Sequence, residues 1–179
     1  MNQLKVSRFL SLILRHKPDT IGITLDEYGW VSTNELLEKI NETEFELSFE
    51  DLKLLVELND KQRFTFSSDK SKIRANQGHS LSVNLELLEK QAPAILYHGT
   101  TQRNIPSILE QGLLKQQRHH VHLSSDPLVA EAVGRRYGKP IVLKINAAAM
   151  VDQGVKFYLS ENNVWLTDYI HPDFIEITE

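Results

Sequence analysis

The sequence predicts an α+β protein built from two small lobes, and three features of the 179-residue chain lead to this prediction. Residues 1–80 place three helical patterns before two short β-type runs. Residues 94–179 instead alternate short strands with helices. Residues 81–93 follow neither pattern, and we interpret them as a connector. Lobes of about 80 and 90 residues fall within the size range of ordinary domains.

The first lobe is predicted to begin with a helix. Apolar residues recur at the spacing of one helix face from Val6 to Ile13. This helix should end near Arg15 and His16, because Pro18 disfavours helical geometry in the residue before it.

Two further helices and a hairpin complete the first lobe. Ser32 with Glu35, and Ser48 with Asp51, have the spacing of capping boxes that open helices. The β-type runs that follow are Arg63–Ser67 and Lys72–Asn76. Helices followed by a β-hairpin are the element order of a winged helix, so we predict that fold for the first lobe.

The second lobe is predicted to contain short strands separated by helices. One helix covers residues 104–111 and is stopped by Gly112, and Ser125 is predicted to cap another that ends at Gly138. The strand candidates are Ile95–Tyr97, Val121–Leu123, Ile141–Ile145, Val155–Leu159, Val164–Leu166 and Phe174–Ile177.

Composition excludes several classes of protein. The chain contains no cysteine, which excludes disulfides, thiolate metal ligands and a cysteine nucleophile. No apolar run approaches the roughly 20 residues that a membrane-spanning helix needs. Lys5 and Arg8 interrupt the apolar stretch near the start of the sequence, so no signal peptide is predicted. We therefore expect a cytoplasmic protein with no membrane partner. We also expect a monomer, although these features do not determine the oligomeric state.

Charge is distributed unevenly along this acidic chain, whose formal net charge is −4. Residues 1–20, 61–79 and 118–144 carry net charges of +3, +4 and +3, whereas residues 21–60 and 145–179 carry −9 and −5. Clusters of one sign on an oppositely charged protein are typical of a focused site for an anion, although solvated surface would produce the same pattern.

The histidines of RHHVHLS, residues 118–124, are candidates for a metal site. If residues 120–123 form a strand, His120 and His122 share one face while Val121 points the other way. Two imidazoles on one face are compatible with zinc. No third ligand is evident, however, so packing or hydrogen bonding is the commoner role and we predict no metal.

The segment YHGT, residues 97–100, is predicted to end an apolar strand. A glycine at a strand end lets a ligand approach the backbone, and Thr100 would add a hydroxyl. The chain has no G-x-G-x-x-G fingerprint, so a nucleotide would have to bind in a different manner.

The order of these segments resembles the RNA 2′-phosphotransferase family. The blocks are LRHKP, NDKQRF, IRANQGHS, YHGT, RHHVHLS, GKPIVLKI and NNVWLT, and they extend from about Val6 to Ile177. The resemblance implies a winged-helix lobe followed by a lobe like that of ADP-ribosyltransferases. It also implies that the substrates are NAD and an RNA bearing an internal 2′-phosphate, such as a ligated tRNA splice junction.

The resemblance assigns roles to seven residues. The family's Arg-His pair, the arginine of its KQRF block and the arginine before its HVHLS block form a catalytic set, which here is Arg15, His16, Arg63 and Arg118. Its HGT block contacts NAD, which implies cofactor binding by His98, Gly99 and Thr100. The resemblance leaves Arg74, His79, His119, His120 and His122 without a role.

The implied reaction consumes NAD and has a physical basis in the sequence. The RNA 2′-phosphate would attack C1″ of NAD and expel nicotinamide, and transfer of the phosphate to O2″ would release ADP-ribose 1″,2″-cyclic phosphate. Guanidinium groups bind phosphate oxygens in a bidentate manner. Each basic segment contains one arginine of the catalytic set, which provides the charge that this reaction needs.

Two other functions remain open from the residues alone. An ADP-ribosyltransferase acting on nucleic-acid phosphate ends would stop after the first step. A DNA-binding regulator would use the winged helix itself, but the candidate recognition helix, residues 49–59, is acidic. It contains Glu50, Asp51 and Glu57 against Lys53 alone, so DNA phosphates would repel it.

Overall fold

The buried hydrophobic side chains form two separate cores, one in each of the units into which the chain divides, Met1–Glu86 and Leu87–Glu179. The computed structural model describes residues 3–59 and 61–178. Both units combine helices with small antiparallel sheets, so the chain is an α+β protein. In the part of the chain that the structure describes, no helix is long and apolar enough to cross a membrane.

The first unit packs its helices against a three-stranded antiparallel sheet of order β1-β3-β2. Its elements are α1 (Gln3–Arg15), β1 (Val31–Ser32), α2 (Thr33–Asn41), α3 (Phe49–Glu57), β2 (Phe64–Phe66) and β3 (Lys72–Ala75). The helices and the hairpin lie where the sequence predicts them. The added strand, β1, pairs Val31 with Ile73 on β3, and two residues are too few for a recognisable alternation pattern.

Capping by side chains explains where the helices α2 and α3 begin. Ser32 accepts a hydrogen bond from the backbone N–H of Glu35. Ser48 and Asp51 form a complete capping box, in which each side chain accepts from the backbone N–H of the other residue. Both caps satisfy N–H groups that have no partner within the helix, and they confirm the predicted helix starts.

The second unit contains three small antiparallel sheets, of orders β11-β7-β4, β6-β9-β8 and β10-β5. Its strands are β4 (Ile95–Thr101), β5 (Leu113–Leu114), β6 (Val121–Leu123), β7 (Pro140–Asn146), β8 (Tyr158–Leu159), β9 (Trp165–Thr167), β10 (Tyr169–Ile170) and β11 (Ile175–Ile177). Its helices are α4 (Ile105–Gln111), α5 (Pro127–Gly134) and α6 (Ala147–Asp152).

Main-chain hydrogen bonds join strand β4 to the end of strand β6. Tyr97 N–H donates to the Ser124 carbonyl at 2.8 Å, and Ser124 N–H donates back to Tyr97 at 2.9 Å. This antiparallel bridge fixes the segment that carries the HVHLS histidines beside the strand that carries His98.

Two glycines allow helix α5 to lie directly on strand β4. A Cβ atom at Gly99 would come within 1.7 Å of the Ala130 carbonyl oxygen, and one at Gly134 would come within 2.6 Å of the Thr100 carbonyl oxygen. No side chain fits at such distances, so the backbones of α5 and β4 meet without an intervening side chain.

Three predictions for the second unit are wrong. Strand β4 does not end at YHGT but continues to Thr101, because these residues pair with Leu143–Pro140 of β7. The cap of α5 is Asp126 and not Ser125, since the Asp126 carboxylate accepts from Leu128 N–H at 2.8 Å. Helix α5 ends at Gly134 and is followed by a 3₁₀ turn, Arg135–Tyr137, so Gly138 stops that turn.

Candidate functional site

Two arginines of the predicted catalytic set lie next to each other in the first unit. Arg15 is the last residue of α1, and Arg63 directly precedes β2. Arg15 Nη2 donates to the Arg63 carbonyl oxygen at 3.4 Å, and the Arg15 guanidinium lies 6.0 Å from the centre of the Phe64 ring. Both side chains are partly exposed, so a phosphate can reach them from solvent.

Two asparagines, Asn59 and Asn76, hold Arg63 in place. Asn59 Oδ1 accepts from Arg63 Nη1 at 3.2 Å and from the Arg63 backbone N–H at 3.4 Å. Asn59 Nδ2 donates to Ser7 Oγ on α1 at 3.2 Å. Asn76 N–H donates to the Arg63 carbonyl at 2.9 Å, and Asn76 Nδ2 donates to the Gln62 carbonyl at 2.6 Å. Arg63 is therefore fixed through its backbone and its guanidinium.

His16 is exposed and follows α1 directly, next to Arg15. Its Nδ1 atom lies 2.9 Å from Ser80 Oγ. Ser80 is attached to the same helix end, because its backbone N–H donates to the Arg15 carbonyl at 3.0 Å. Ser80 thus orients the imidazole, and the first unit brings together Arg15, His16 and Arg63.

The guanidinium of Arg74 packs against an aromatic ring in the first unit. Its guanidinium carbon lies 4.4 Å from the centre of the Trp30 ring, within the range of a cation–π interaction. The sequence leaves Arg74 outside the predicted catalytic set, and this contact with Trp30 gives it a structural role in the first unit.

His98, on strand β4 of the second unit, carries its proton on Nδ1. That atom lies 3.0 Å from the His122 carbonyl oxygen, which can only accept a hydrogen bond. Burial lowers the pKa of His98, the hydrogen bond to the carbonyl opposes this effect, and the positive charge of Arg118 lowers the pKa further. His98 is therefore neutral at pH 7 and presents Nε2 as a hydrogen-bond acceptor.

Arg118 lies in the loop before β6 and contacts His122, the residue whose carbonyl oxygen accepts from His98. Arg118 Nη1 is 3.1 Å from His122 Nδ1, and the arginine side chain is exposed. His122 thus accepts from His98 through its backbone and contacts Arg118 through its ring. The second unit brings together two predicted site residues, His98 and Arg118, through a residue to which the sequence assigned no role.

The surroundings of Gly99 and Thr100 differ from those expected of an open strand end that a ligand can approach. The bare side of Gly99 is covered by Ala130 of α5, so it serves helix packing and does not open the backbone to a ligand. Thr100 is buried, and its hydroxyl accepts from Asn104 Nδ2 at 3.1 Å. Their binding to a cofactor stays a prediction.

His120 and His122, the pair considered for zinc, do not both lie within strand β6. His120 lies before β6 and packs its ring 5.7 Å from that of Tyr158, while His122 lies within the strand. Among residues 3–59 and 61–178, no three His, Asp or Glu side chains are grouped as metal ligands would be.

Sequence reasoning missed the residues that orient the site. Asn59 stands in the NDKQRF block and Ser80 in the NQGHS block, so both lie inside recognisable segments. Nothing in their spacing shows that Asn59 contacts α1 or that Ser80 contacts the end of that helix, because those partners are 52 and 64 residues away.

Comparison with known proteins identifies the family of the chain. The family model described as "RNA 2'-phosphotransferase, Tpt1 / KptA family" matches residues 1–169. A protein of Fusobacterium nucleatum, described as "Probable RNA 2'-phosphotransferase", is 52% identical over 98% of both chains. Proteins with the same description from Flavobacterium johnsoniae and Trichormus variabilis are 52% and 47% identical. These matches cover 96% and 98% of this chain, and 94% and 96% of the two relatives.

These matches define the class of the protein. It is a transferase, because the family and the relatives are named for phosphate transfer on RNA. The chain belongs to the RNA 2′-phosphotransferase family.

Proposed function

We propose that this protein removes an internal 2′-phosphate from RNA, such as that at a tRNA splice junction, by transferring it to NAD. The observation that carries the proposal is the contact between Arg15 and Arg63 in a chain of the RNA 2′-phosphotransferase family. In the proposed reaction NAD is a substrate that is consumed, and no hydride is transferred.

The first unit, which we propose to be a winged helix, binds the RNA 2′-phosphate. Arg15 and Arg63 supply donors for its oxygens, and His16, oriented by Ser80, supplies a further polar group. A phosphomonoester carries nearly two negative charges at neutral pH, and charge-assisted hydrogen bonds from arginine are among the strongest in proteins. Asn59 limits the rotation of Arg63, so less conformational entropy is lost when the phosphate binds.

The second unit, which we propose to resemble ADP-ribosyltransferases, binds NAD. Neutral His98 presents Nε2 as an acceptor, and the ribose hydroxyls of NAD are suitable donors. A protonated imidazole would offer only donors, so the lowered pKa of His98 favours this role. We propose that Gly99 and Thr100 also contribute to the NAD site, and that Gly99 does so by allowing α5 to pack against β4.

The chemistry proceeds in two steps. A 2′-phosphate oxygen attacks C1″ of NAD, and the bond from C1″ to nicotinamide breaks, which leaves RNA with a 2′-phospho-ADP-ribose adduct. O2″ of the adduct then attacks phosphorus, and the bond from phosphorus to the RNA O2′ breaks. The products are RNA with a 2′-hydroxyl, ADP-ribose 1″,2″-cyclic phosphate and nicotinamide. Arg118 stabilises the charge on the transferring phosphoryl group.

A DNA-binding role has less support. In α3 the single basic residue, Lys53, forms an ion pair of 3.5 Å with Glu50, so the helix presents little positive charge to a DNA phosphate. We further propose that the enzyme acts as a monomer, since the proposed reaction needs no second copy, and that it works in the cytoplasm.

The decisive experiment is to incubate the protein with an oligonucleotide bearing one internal 2′-phosphate, with and without NAD. The proposal predicts NAD-dependent conversion to a 2′-hydroxyl and equimolar ADP-ribose 1″,2″-cyclic phosphate, measured by mass spectrometry. An ADP-ribosylated RNA that never loses its phosphate would support the alternative, an ADP-ribosyltransferase. Phosphate removal at the same rate without NAD would exclude both. An oligonucleotide with a 3′-phosphate serves as the control.

A further inference from the structure

We propose that His122 is the positioning residue for Arg118, and that it acts as a neutral imidazole with its proton on Nε2. This inference rests on the proposed function for its consequence in catalysis. The hydrogen bond between the two side chains does not depend on the proposed function, and it can be tested without an activity assay. His122 is not among the residues to which the family resemblance assigned a role.

The chemistry of the two partners fixes the direction of the hydrogen bond. A guanidinium has only donors, so the contact of 3.1 Å between Arg118 Nη1 and His122 Nδ1 requires a lone pair on Nδ1. A neutral imidazole that accepts at Nδ1 carries its proton on Nε2. His98 has the other tautomer, because its Nδ1 donates to a carbonyl oxygen. The adjacent strands β4 and β6 therefore carry two histidines in opposite tautomers.

Arg118 depends on this contact for its orientation. Its side chain is exposed and lies in a loop, and among the described residues the His122 ring is its one hydrogen-bonding side-chain partner. An exposed arginine without a partner samples many rotamers. His122 itself is fixed, because its strand pairs it with Leu166 on β9 and its carbonyl accepts from His98. The backbone from which the ring extends is therefore held by the sheet, and the ring in turn orients the guanidinium.

A double-mutant cycle tests whether His122 acts through Arg118. Arg118→Ala should slow the second step by roughly 100-fold, with accumulation of the RNA adduct. His122→Ala should slow the same step by about tenfold or more, a coupling common between residues in contact. In Arg118→Ala, adding His122→Ala should cause almost no further loss. Losses that multiply in the double variant, or a His122→Ala enzyme as fast as wild type, would overturn the proposal.

Two variants distinguish positioning from general support of the fold. His122→Asn places an amide oxygen close to where Nδ1 lies and should restore most of the rate lost in His122→Ala, because the oxygen accepts from Arg118. His120→Ala is the matched control: this half-buried histidine of the same segment packs on Tyr158 and should leave the second step unchanged. Equal losses in the alanine and asparagine variants would contradict the proposal.

The tautomer can be observed directly in the wild-type protein. Long-range ¹H–¹⁵N correlation spectra of histidine-labelled protein at pH 7.5 should show Nε2 protonated in His122 and Nδ1 protonated in His98. In Arg118→Ala, His122 should lose this fixed preference while His98 keeps its own. A proton on Nδ1 of wild-type His122 would overturn the inference. An inactive wild-type protein would instead overturn the proposed function, and the spectra would still decide the hydrogen bond.

Discussion

The guanidinium of Arg15 donates to the backbone carbonyl of Arg63, so two cationic residues 48 positions apart meet at the end of α1 and the start of β2. The region around them belongs to an otherwise acidic chain, whose net charge is −4. Clustered positive charge raises the free energy of the protein unless an anion compensates it, and a phosphate dianion would do so.

Replacing Arg15 should damage RNA phosphate handling, whereas replacing His98 should damage use of NAD. Arg15→Ala is expected to leave NAD affinity largely intact while turnover falls, because the residue lies in the first unit. His98→Ala is expected to weaken NAD binding, because the acceptor at Nε2 is lost. Calorimetric titration with NAD and separate turnover assays measure the two effects. Arg15→Lys is the control that keeps the charge but not the bidentate fork.

Normal turnover by Arg15→Ala together with lost NAD binding would contradict this division of roles.

Removing the Asn59 side chain should loosen Arg63. Asn59→Ala deletes an acceptor for the Arg63 guanidinium and a contact to Ser7 on α1, so a destabilisation of about 1 kcal/mol is expected. The KM for 2′-phosphorylated RNA should rise more than the KM for NAD. Asn34→Ala, at an exposed position of α2, is the matched control and should behave like wild type. Unchanged RNA kinetics in Asn59→Ala would show that Arg63 does not need this support.

Gly99 should tolerate no side chain. A methyl group in Gly99→Ala would overlap the Ala130 carbonyl, so α5 must move away from β4, at a cost of about 3 kcal/mol or more. Thermal unfolding followed by circular dichroism measures the loss. Gly154→Asn is the control, since no atom lies within 4 Å of a Cβ there and asparagine tolerates its positive φ of 83°. A Gly99→Ala protein with wild-type stability and weak NAD binding would instead assign the glycine to ligand contact alone.

Stability should fall as the pH is lowered below about 6.5, the ordinary pKa of histidine. Burial lowers the pKa of His98 and of His120 in the folded protein. Between these lowered values and 6.5 the unfolded chain binds more protons than the folded one, so stability rises with pH across this window and is fully present above it. Urea unfolding at pH 5.5 and 7.5 measures the difference, which should be smaller in His98→Gln.

A larger pH dependence of stability in His98→Gln than in wild type would show that other titrating groups cause the loss of stability at acid pH.

Activity should persist in excess chelator. The chain has no cysteine, and arginines can stabilise charge on a transferring phosphoryl group without a metal. The measurement compares turnover in excess EDTA with turnover of the same protein after dialysis without EDTA. Loss of turnover in EDTA that zinc restores would place the histidines of the HHVH segment in a metal site.

Local sequence signals predicted the helices and the hairpin of the first unit well, because capping residues within one turn mark the starts of α2 and α3. Ser48 and Asp51 illustrate this: both halves of the capping box lie in one turn. The prediction of Ser125 as a cap failed because Asp126 stands next to it and has the stronger acceptor. Only the exact residue at which α5 begins decides whether Ser125 or Asp126 is its cap.

The sequence names the residues of the candidate site but does not predict their geometry. Block order placed Arg15, Arg63 and Arg118 in one family pattern, yet the contact of Arg15 with the Arg63 backbone depends on tertiary packing across 48 residues. Similarly, the HGT segment, residues 98–100, is predicted to end a strand, and only the pairing of β4 with β7 shows that the strand continues to Thr101. The interaction of Arg118 with His122 spans four residues, but no sequence pattern shows that these two side chains meet, and the tautomer of His122 follows only from that contact.

The reciprocal hydrogen bonds between Tyr97 and Ser124 have a mechanical consequence. To shift β6 relative to β4, the chain would have to break both of these main-chain hydrogen bonds, so the backbones of His98 and His122 are expected to move together. We therefore expect no lid or hinge for the proposed NAD site to operate between these two strands. Any opening motion has to come from segments outside this pair, and the amide protons of Tyr97 and Ser124 should be among the slowest in the unit to exchange with solvent deuterium.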